Sequence, residues 1–365
     1  MKQALIAKIE KIMNDNSTEK RFLSFENFLF LLSKIYCAGL KLRTGLYKFH
    51  IIKKRKLPCY VISVGNIITG GTGKTPMTLY LVTLIEKFGY KTVIITRGYK
   101  GKYKEANTIV SNGSKLLLNV EEAGDEAIMM AEKLKIPVIV GKNRYRAGML
   151  AIKKFNPDVI ILDDAFQHIA LERNLNLLLC DYKNPFGNFE LLPRGRLREP
   201  VTAVERSDAI IFTRTEKQDK PDHEMFLSKS IFYSYHLPYI AEFIHCTSED
   251  ISFKKRYFLF SAISDNSNFR KTCKTMGMAI AGFVEFTDHH WYTKRDLNNI
   301  YENFKKTKSD CLVTTEKDYV KIKGIISDQF PLIVIGVKIE FKRKSQEKFE
   351  GFIKACLHGH LKVDL

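Results

Sequence analysis

The sequence predicts an α/β fold: a P-loop-type parallel sheet sandwiched by helices, followed by a second, smaller α/β domain. Three observations carry that expectation. Short apolar runs bounded by Gly, Pro, Asn or Asp alternate with stretches of helical length. The runs are apolar at successive positions, as strands covered on both faces must be. A glycine-rich turn joins the first run to a helix. At 365 residues the chain exceeds the size at which one core stops growing, so two domains are expected.

Residues 1–56 are expected to form amphipathic, membrane-docking helices. The opening "MKQALIAKIEKIMNDNSTEK" is too broken by charge for a cleavable signal peptide. Phe22, Phe25, Phe28, Leu29, Leu32, Ile35 and Tyr36 then recur at helical spacing, while Glu26, Asn27 and Lys34 interrupt any run long enough to span a bilayer. Lys41, Arg43, Lys48, Lys53, Lys54, Arg55 and Lys56 follow, and an apolar face beside a basic cluster suits an anionic membrane surface. The competing reading is a helix packed on its own core with a solvated basic turn. "KKRKLP" also has the look of a nuclear-localisation run, but a strand begins at once after it.

Strands are expected at 59–64, 92–96, 136–140, 158–162, 175–180 and 208–212, with helices at 74–88, 122–134 and 143–155, making a domain of residues 57–215. A polar, proline-bearing stretch and a Tyr- and Phe-rich one read as a connector over 216–255. A second α/β pattern fills 256–340, through "YFLFSAI", a helix around 266–276, "AIAGFVEF", a helix after Thr293, "CLVTT" and "LIVIGV". Residues 341–365 are a C-terminal helix or tail that could finish the second domain or return to the first.

Composition narrows the partners without choosing one. The 59 Lys and Arg against 40 Asp and Glu give +19, favouring nucleic acid, acidic lipid or a phosphorylated substrate. The seven cysteines are scattered and never spaced C-x-x-C, so a reduced cytosolic compartment is expected, without a disulfide framework or structural zinc. His358 and His360 read as solvated tail and carry no metal-ligand role.

"SVGNIITGGTGKTP" holds the candidate chemistry. Consecutive backbone N–H groups can converge on an anion at a helix N-terminus, where the dipole also favours negative charge. Asn66 and the open backbone of Gly70, Gly71, Thr72 and Gly73 supply the cradle, Lys74 the cation for β/γ oxygens, and Thr75 a hydroxyl for Mg²⁺. Ile68 stands where the usual pattern has its first glycine, and Gly65 and Asn66 are available to turn the chain earlier. A metal held at such a loop needs a carboxylate at a neighbouring strand end; "DVIILDDAFQH" offers Asp163 and Asp164, with helix capping as the alternative use.

With "TRGYK", "AGDEAIMMA", "NRYRAG", "DDAFQH", "LLPRGRLREP", "FTDHHWYT" and "TTEKD" following in order, the chain resembles the tetraacyldisaccharide 4'-kinase family, the lipid A kinases of Gram-negative bacteria, from about residue 20 to 320. The resemblance implies transfer of the ATP γ-phosphate to the 4'-hydroxyl of a tetraacylated glucosamine disaccharide 1-phosphate at the cytoplasmic face of the inner membrane. It implies ATP and Mg²⁺ as cofactors, and Asp125 paired with a histidine of "DHH", His289 in preference to His290, as the acid–base dyad. A carboxylate holding an imidazole makes a better base near neutral pH than either residue alone. Without the resemblance Asp125 would read as a helix N-cap. Gln167, His168, Arg198 and Glu199 lie, by resemblance, in motifs lining the nucleotide and sugar site; Arg97, Arg144, Arg146, Arg194 and Arg196 are candidates for holding the 1-phosphate or transition-state charge. Ala127 and Ala165 depart from the family pattern, where proline and glycine are common.

Two other functions compete. A partitioning-type ATPase would place its signature lysine where Thr69 stands, and a basic nucleic-acid binder lacks an evident reading helix or ribonucleoprotein motif. A monomer acting on a membrane-borne lipid, without specific nucleic-acid binding, is the expectation.

Overall fold

In the computed structural model, residues 8–9, 12–13, 24–103, 106–215, 226, 228–247, 254–327 and 330–361 are described. In chain order the elements are α1 (Phe25–Lys48), β1 (Tyr60–Gly65), α2 (Lys74–Lys87), β2 (Thr92–Thr96), β3 (Asn107–Asn112), α3 (Val120–Ala123), α4 (Asp125–Leu134), β4 (Pro137–Gly141), α5 (Arg144–Phe155), β5 (Val159–Asp163) and β6 (Leu175–Asp181). A 3-10 turn (Val201–Arg206) leads to β7 (Ala209–Thr213), β8 (Ser230–Ile244), β9 (Arg256–Ser261), α6 (Asn266–Thr275), β10 (Ala279–Glu285), α7 (Lys294–Lys306), β11 (Cys311–Thr315), α8 (Glu316–Ile322), β12 (Leu332–Phe341) and α9 (Arg343–Leu361).

The chain forms two compact units: unit 1 is residues 1–96, 143–235 and 340–365, and unit 2 is residues 97–142 and 236–339. This differs from the linear division into 57–215 and 256–340. The hairpin β3–β4 and helix α4 go to unit 2 because α4 is bound to α8 there, by Lys133 to Glu316 at 2.6 Å and by Lys317 to Glu126. The expected connector is also corrected: Ser230–Ile244 is a strand, rich in the aromatic and branched residues that favour one, with Pro238 inside it. Residues 216–225, 227 and 248–253 of that connector lie outside the described residues.

In unit 1 the strands run β8-β7-β6-β1-β5-β2, and neighbouring strands pair in parallel. The register decides where the site lies. Val64 at the end of β1 pairs with Asp163 at the end of β5, and Ile95 at the end of β2 pairs with Leu162. The phosphate-loop candidate, Asp163 and Thr96 therefore emerge at one edge, outside the carboxyl ends of parallel strands, where open α/β sheets bind ligands. Strand interiors are mostly apolar, with Ile62, Val64, Ile160, Ile161, Leu162, Leu177, Leu178, Ile210 and Ile211 buried. Helix α9 returns to unit 1: Phe349, Ile353 and Leu357 are buried, and Phe349 lies against Tyr80 of α2.

The N-terminal helix α1 is capped by Ser24, which accepts from the Asn27 N–H. Only Leu29 and Ser33 of it are buried, while Phe28, Leu31, Ile35 and Leu42 are 55%, 59%, 62% and 66% exposed on one stripe. The basic residues Lys41, Arg43 and Lys53–Lys56 are also exposed. Phe22 lies outside the described residues. Among the described residues no helix is long and apolar enough to cross a membrane.

In unit 2 the strand order is β10-β9-β11-β12, with β8 next to β12, and β10, β9, β11 and β12 pair in parallel. The hairpin β3–β4 is antiparallel. Two apolar clusters cover this sheet, one around Phe258, Phe260, Leu297, Ile300 and Leu312, the other around Tyr257, Leu259, Phe269, Cys273 and Val313.

Candidate active site

The loop from Asn66 to Gly73 is held in unit 1 by its own side chains and by two neighbouring segments. Asn66 Nδ2 donates to Thr72 Oγ1 at 2.9 Å, and its carbonyl accepts from Gln167 Nε2 at 2.7 Å. Thr213 Oγ1 donates to the Thr72 carbonyl at 3.1 Å, and Arg214, itself paired with Asp181 at 2.8 Å, donates to the Gly71 carbonyl at 2.8 Å. Gly73 opens α2 at φ 85°, a left-handed conformation that favours glycine, and no side chain caps the helix. The first-turn N–H groups are thus presented as donors beside Lys74 and the buried Thr75, and a negative group there would also meet the favourable end of the dipole.

The missing first glycine has a structural explanation. Ile68 is buried with Ile67, Phe166 and Leu197, and it bridges Leu197 in an antiparallel pair. The Thr69 N–H donates to the Arg196 carbonyl at 2.8 Å and the Arg198 N–H to the Ile67 carbonyl at 2.7 Å. The first half of the loop is strapped to "RGRLRE" and needs a hydrophobic anchor there instead of a glycine.

That strap brings the remaining unit 1 candidates together. Arg198 Nη1 contacts both Asp164 oxygens at 2.9 and 3.1 Å, and Lys74 Nζ lies 3.7 Å from the same carboxylate. Burial alone would raise the Asp164 carboxyl; Lys74 and Arg198 outweigh it and hold the group below the ordinary carboxylate range. Asp163 is buried and accepts from Thr78 Oγ1 at 3.0 Å and Thr96 Oγ1 at 3.4 Å. Glu199 is buried, taking Arg206 Nη2 at 2.6 Å and Gln167 Nε2 at 3.3 Å, so it orients Gln167. His168 is pushed down to about 4, first by burial and then by Arg144, Arg173 and Arg43. Neither aspartate caps a helix. Helix α1 reaches this edge too: Tyr36 Oη donates to the Arg198 carbonyl at 2.8 Å, and Arg43 donates to the Gln167 carbonyl.

Of the five further arginines, Arg144 is buried and its charge is felt by Asp164. Arg196 lies so close to Gly70 that a Cβ there would meet its guanidinium at 2.6 Å. Arg194 donates to the Ile12 carbonyl at 2.8 Å, Arg146 is exposed on α5, and Arg97 belongs to unit 2.

Unit 2 contains an Asp–His pair in which Asp125 is buried and His289 partly so. Asp125 is the first residue of α4, after Gly124 at φ 87°, so the N-cap role falls to Gly124 and the Asp125 carboxylate is directed to His289. His289 Nδ1 lies 3.0 and 2.8 Å from Asp125 Oδ1 and Oδ2, and Oδ1 also accepts from the Glu126 N–H at 2.9 Å. Burial would lower the His289 imidazole, but its bond to Asp125 and the charges of Asp125 and Asp288 raise it above the ordinary value. Burial would raise Asp125, and His289, Lys317 and Lys321 bring it down. With Nδ1 committed, Nε2 is the nitrogen positioned to take a proton; it lies 3.7 Å from Asp288 Oδ1. His290 is placed otherwise: its Nε2 meets Asp296 at 3.1 Å, and its ring stacks on Phe286.

The sequence did not point to Thr213 and Arg214 as loop supports, nor to Lys317 and Lys321 as neighbours of Asp125. Lys317 lies in the "TTEKD" motif, to which no role was given, and Lys321 lies three residues beyond it. Ala127 and Ala165 are both buried, consistent with small residues at those positions.

An α/β unit with a lysine and threonine at a strand–loop–helix junction, flanked by strand-end carboxylates, defines a nucleotide-binding class of protein. The sequence profile of the tetraacyldisaccharide-1-P 4'-kinases matches residues 25–358. The tetraacyldisaccharide 4'-kinase of Desulfatibacillum aliphaticivorans is 37% identical, covering 97% of this chain and 98% of its own. That of Syntrophus aciditrophicus is 36% identical, over 94% and 96%. The crystal structure of an LpxK from Aquifex aeolicus in complex with ATP superposes with a TM-score of 0.73 at 33% identity, covering 92% of this chain and all of that one. The chain belongs to the tetraacyldisaccharide 4'-kinase family.

Proposed function

We propose that this protein transfers the γ-phosphate of ATP to the 4'-hydroxyl of a tetraacyldisaccharide 1-phosphate, giving the 4'-phosphorylated lipid A precursor and ADP. The observation that carries this reading is the family match over residues 25–358, joined to a phosphate-loop geometry in unit 1. Phosphoryl transfer is catalysed by positioning and charge stabilisation, with a base for the proton of the attacking alcohol. The loop amides from Asn66 to Thr75 would grip the triphosphate, and Lys74 would leave Asp164 for the β/γ oxygens. The Asp125–His289 pair would take the acceptor's proton at His289 Nε2, leaving an imidazolium stabilised by Asp125.

Among the described residues no group of three His, Cys, Asp or Glu could hold a metal by itself. That fits Mg²⁺, which keeps waters and phosphate oxygens and takes only one or two protein ligands. Thr75 and Asp164 would hold it, with Asp163 behind them on Thr78 and Thr96. When bound, the ion supplies charge neutralisation at the β and γ oxygens.

The exposed stripe of α1 and its basic exit support docking on an anionic membrane, which would bring the lipid substrate to a peripheral enzyme at the cytoplasmic face of an inner membrane. Neither a partitioning ATPase nor a nucleic-acid binder is favoured by the family match. The test is transfer of labelled γ-phosphate from ATP to a lipid A precursor in detergent micelles. We expect Mg²⁺-dependent label on the lipid; ATP turnover stimulated by DNA and not by lipid would reject the proposal.

A further inference from the structure

Helix α8 presents Asp318 and Lys321 together, and both side chains are sealed from solvent, 0% and 1% exposed. Lys321 Nζ lies 2.8 Å from Asp318 Oδ1, donates to the His290 carbonyl at 3.1 Å, and stands 3.9 Å from Asp125 Oδ2. On its other side Asp318 Oδ2 accepts from the Ala262 N–H at 3.1 Å and from Thr315 Oγ1 at 2.7 Å. The Ala262 carbonyl accepts from the His289 N–H at 3.0 Å. One buried ion pair thus touches the carboxylate of the Asp–His pair, the carbonyl of the residue after the histidine, and Ala262, whose own carbonyl holds the His289 N–H.

Two further facts give this arrangement a purpose beyond holding the fold. Removing two charges from water is expensive, and apolar residues of similar volume usually stabilise a core as well or better. His289 itself sits at φ 56°, a conformation unfavourable for a residue with a side chain, which persists only where its surroundings over-determine it.

We infer that Lys321, held by Asp318, is a positioning residue for the Asp125–His289 pair. Its ammonium keeps the Asp125 carboxylate ionised and directed at Nδ1, and its bond to the His290 carbonyl, with the Asp318–Ala262 bond, fixes the turn that aims the ring. The inference rests on the reading of Asp125 and His289 as the proton-accepting pair. Other charges face the same point. Glu126 comes from α4, Asp288 from the turn and Lys317 from α8, while Lys100 reaches the Asp288 carbonyl at 2.9 Å. The Tyr99 ring lies 5.0 Å from His289 and the Tyr292 ring 5.2 Å from Lys321 Nζ. Lys321 is the cation among these that reaches both Asp125 and the backbone of the turn.

The experiment uses the full-length protein as wild type, Lys321→Met, and Lys321→Met combined with Asp318→Asn. Removing one partner leaves a buried charge alone and can prevent folding; removing both does not, so the double variant keeps the test available. His289 is titrated by NMR of labelled histidine, assigned through His289→Asn, and kcat/KM is followed against pH. The bond to Asp125 is what raises the imidazole, so once Asp125 and the turn lose their hold His289 should titrate below its wild-type pH in both variants, toward the ordinary imidazole value, with the acid limb of the rate profile moving the same way. At the optimum kcat should fall about 10²-fold, the scale of a misplaced catalytic group, with KM for ATP unchanged. A double variant whose His289 titration and rate profile match wild type would overturn the inference. So would a titration that rises above wild type with kcat unchanged, because the pair would then stay placed without Lys321, which would be only a nearby charge. Should Asp125→Ala and His289→Ala retain full transfer, the reading of the dyad fails, while the His289 titration still decides the role of Lys321.

Discussion

The candidate phosphate loop of unit 1 and the Asp–His pair of unit 2 are assembled in opposite ways. The loop is nearly all one contiguous stretch, and its shape comes from backbone conformation at Gly70 and Gly73 and from bonds made to its carbonyls. The pair joins residues 164 positions apart and exists only because a hairpin and helix early in the chain fold with the later sheet. A site written into local backbone tolerates change around it and fails at single residues. One built on distant contacts depends on the elements that carry it.

That contrast can be broken or sharpened by substitution. Lys74→Ala removes the one cation at the start of α2, and we expect transfer to fall about 10³-fold, as when a preorganised charge-stabilising donor is lost. Asp125→Ala and His289→Ala should each lower kcat by about 10²–10³-fold, and the double variant should be no worse than the poorer single, since the two act as a unit. Additive losses in stopped-flow transfer assays would argue for separate roles. Arg214→Met takes the bond from the Gly71 carbonyl, and the affinity for ATP should weaken about tenfold with little change in kcat.

A smaller effect is set by pH. Asp125 is lowered and His289 raised in the folded protein, so their pairing stabilises above the unfolded carboxyl value, about 3.9, and below the unfolded imidazole value, about 6.5. The contribution is lost as pH rises through the raised value of His289, or falls through the lowered value of Asp125. Urea unfolding of wild type and His289→Gln should therefore differ most near pH 5–6 and converge in alkali. The smallest expected change is in stability for Leu31→Ser with Ile35→Ser, within about 0.5 kcal/mol for exposed positions, although sedimentation with anionic liposomes should drop clearly. Unchanged sedimentation would remove α1 from the membrane.

Much of the fold was legible in the sequence, because runs such as Val159–Asp163 and Leu175–Asp181 are buried on both faces and read as strands whatever their neighbours. Antiparallel β3 and the long β8 were not, since Asn107–Asn112 is only partly apolar and Pro238 reads as a break. Lys74 and Thr75 were legible through spacing alone. Ile68 was legible as an oddity, but its reason, the strap to Leu197, is a contact that no local pattern announces. Asp125 and His289 were found through ordered motifs, whereas their physical pairing, and Lys321 behind them, depend on how α4 and α8 pack.

The most direct test is a calorimetric titration of ATP with Mg²⁺ into folded wild type, Lys74→Ala and His289→Ala. Binding in wild type and His289→Ala, with loss in Lys74→Ala, is the result the proposal predicts, because in it the loop grips the triphosphate and the histidine serves only the acceptor's proton. Folded wild-type protein with no magnesium-dependent affinity for ATP would contradict it.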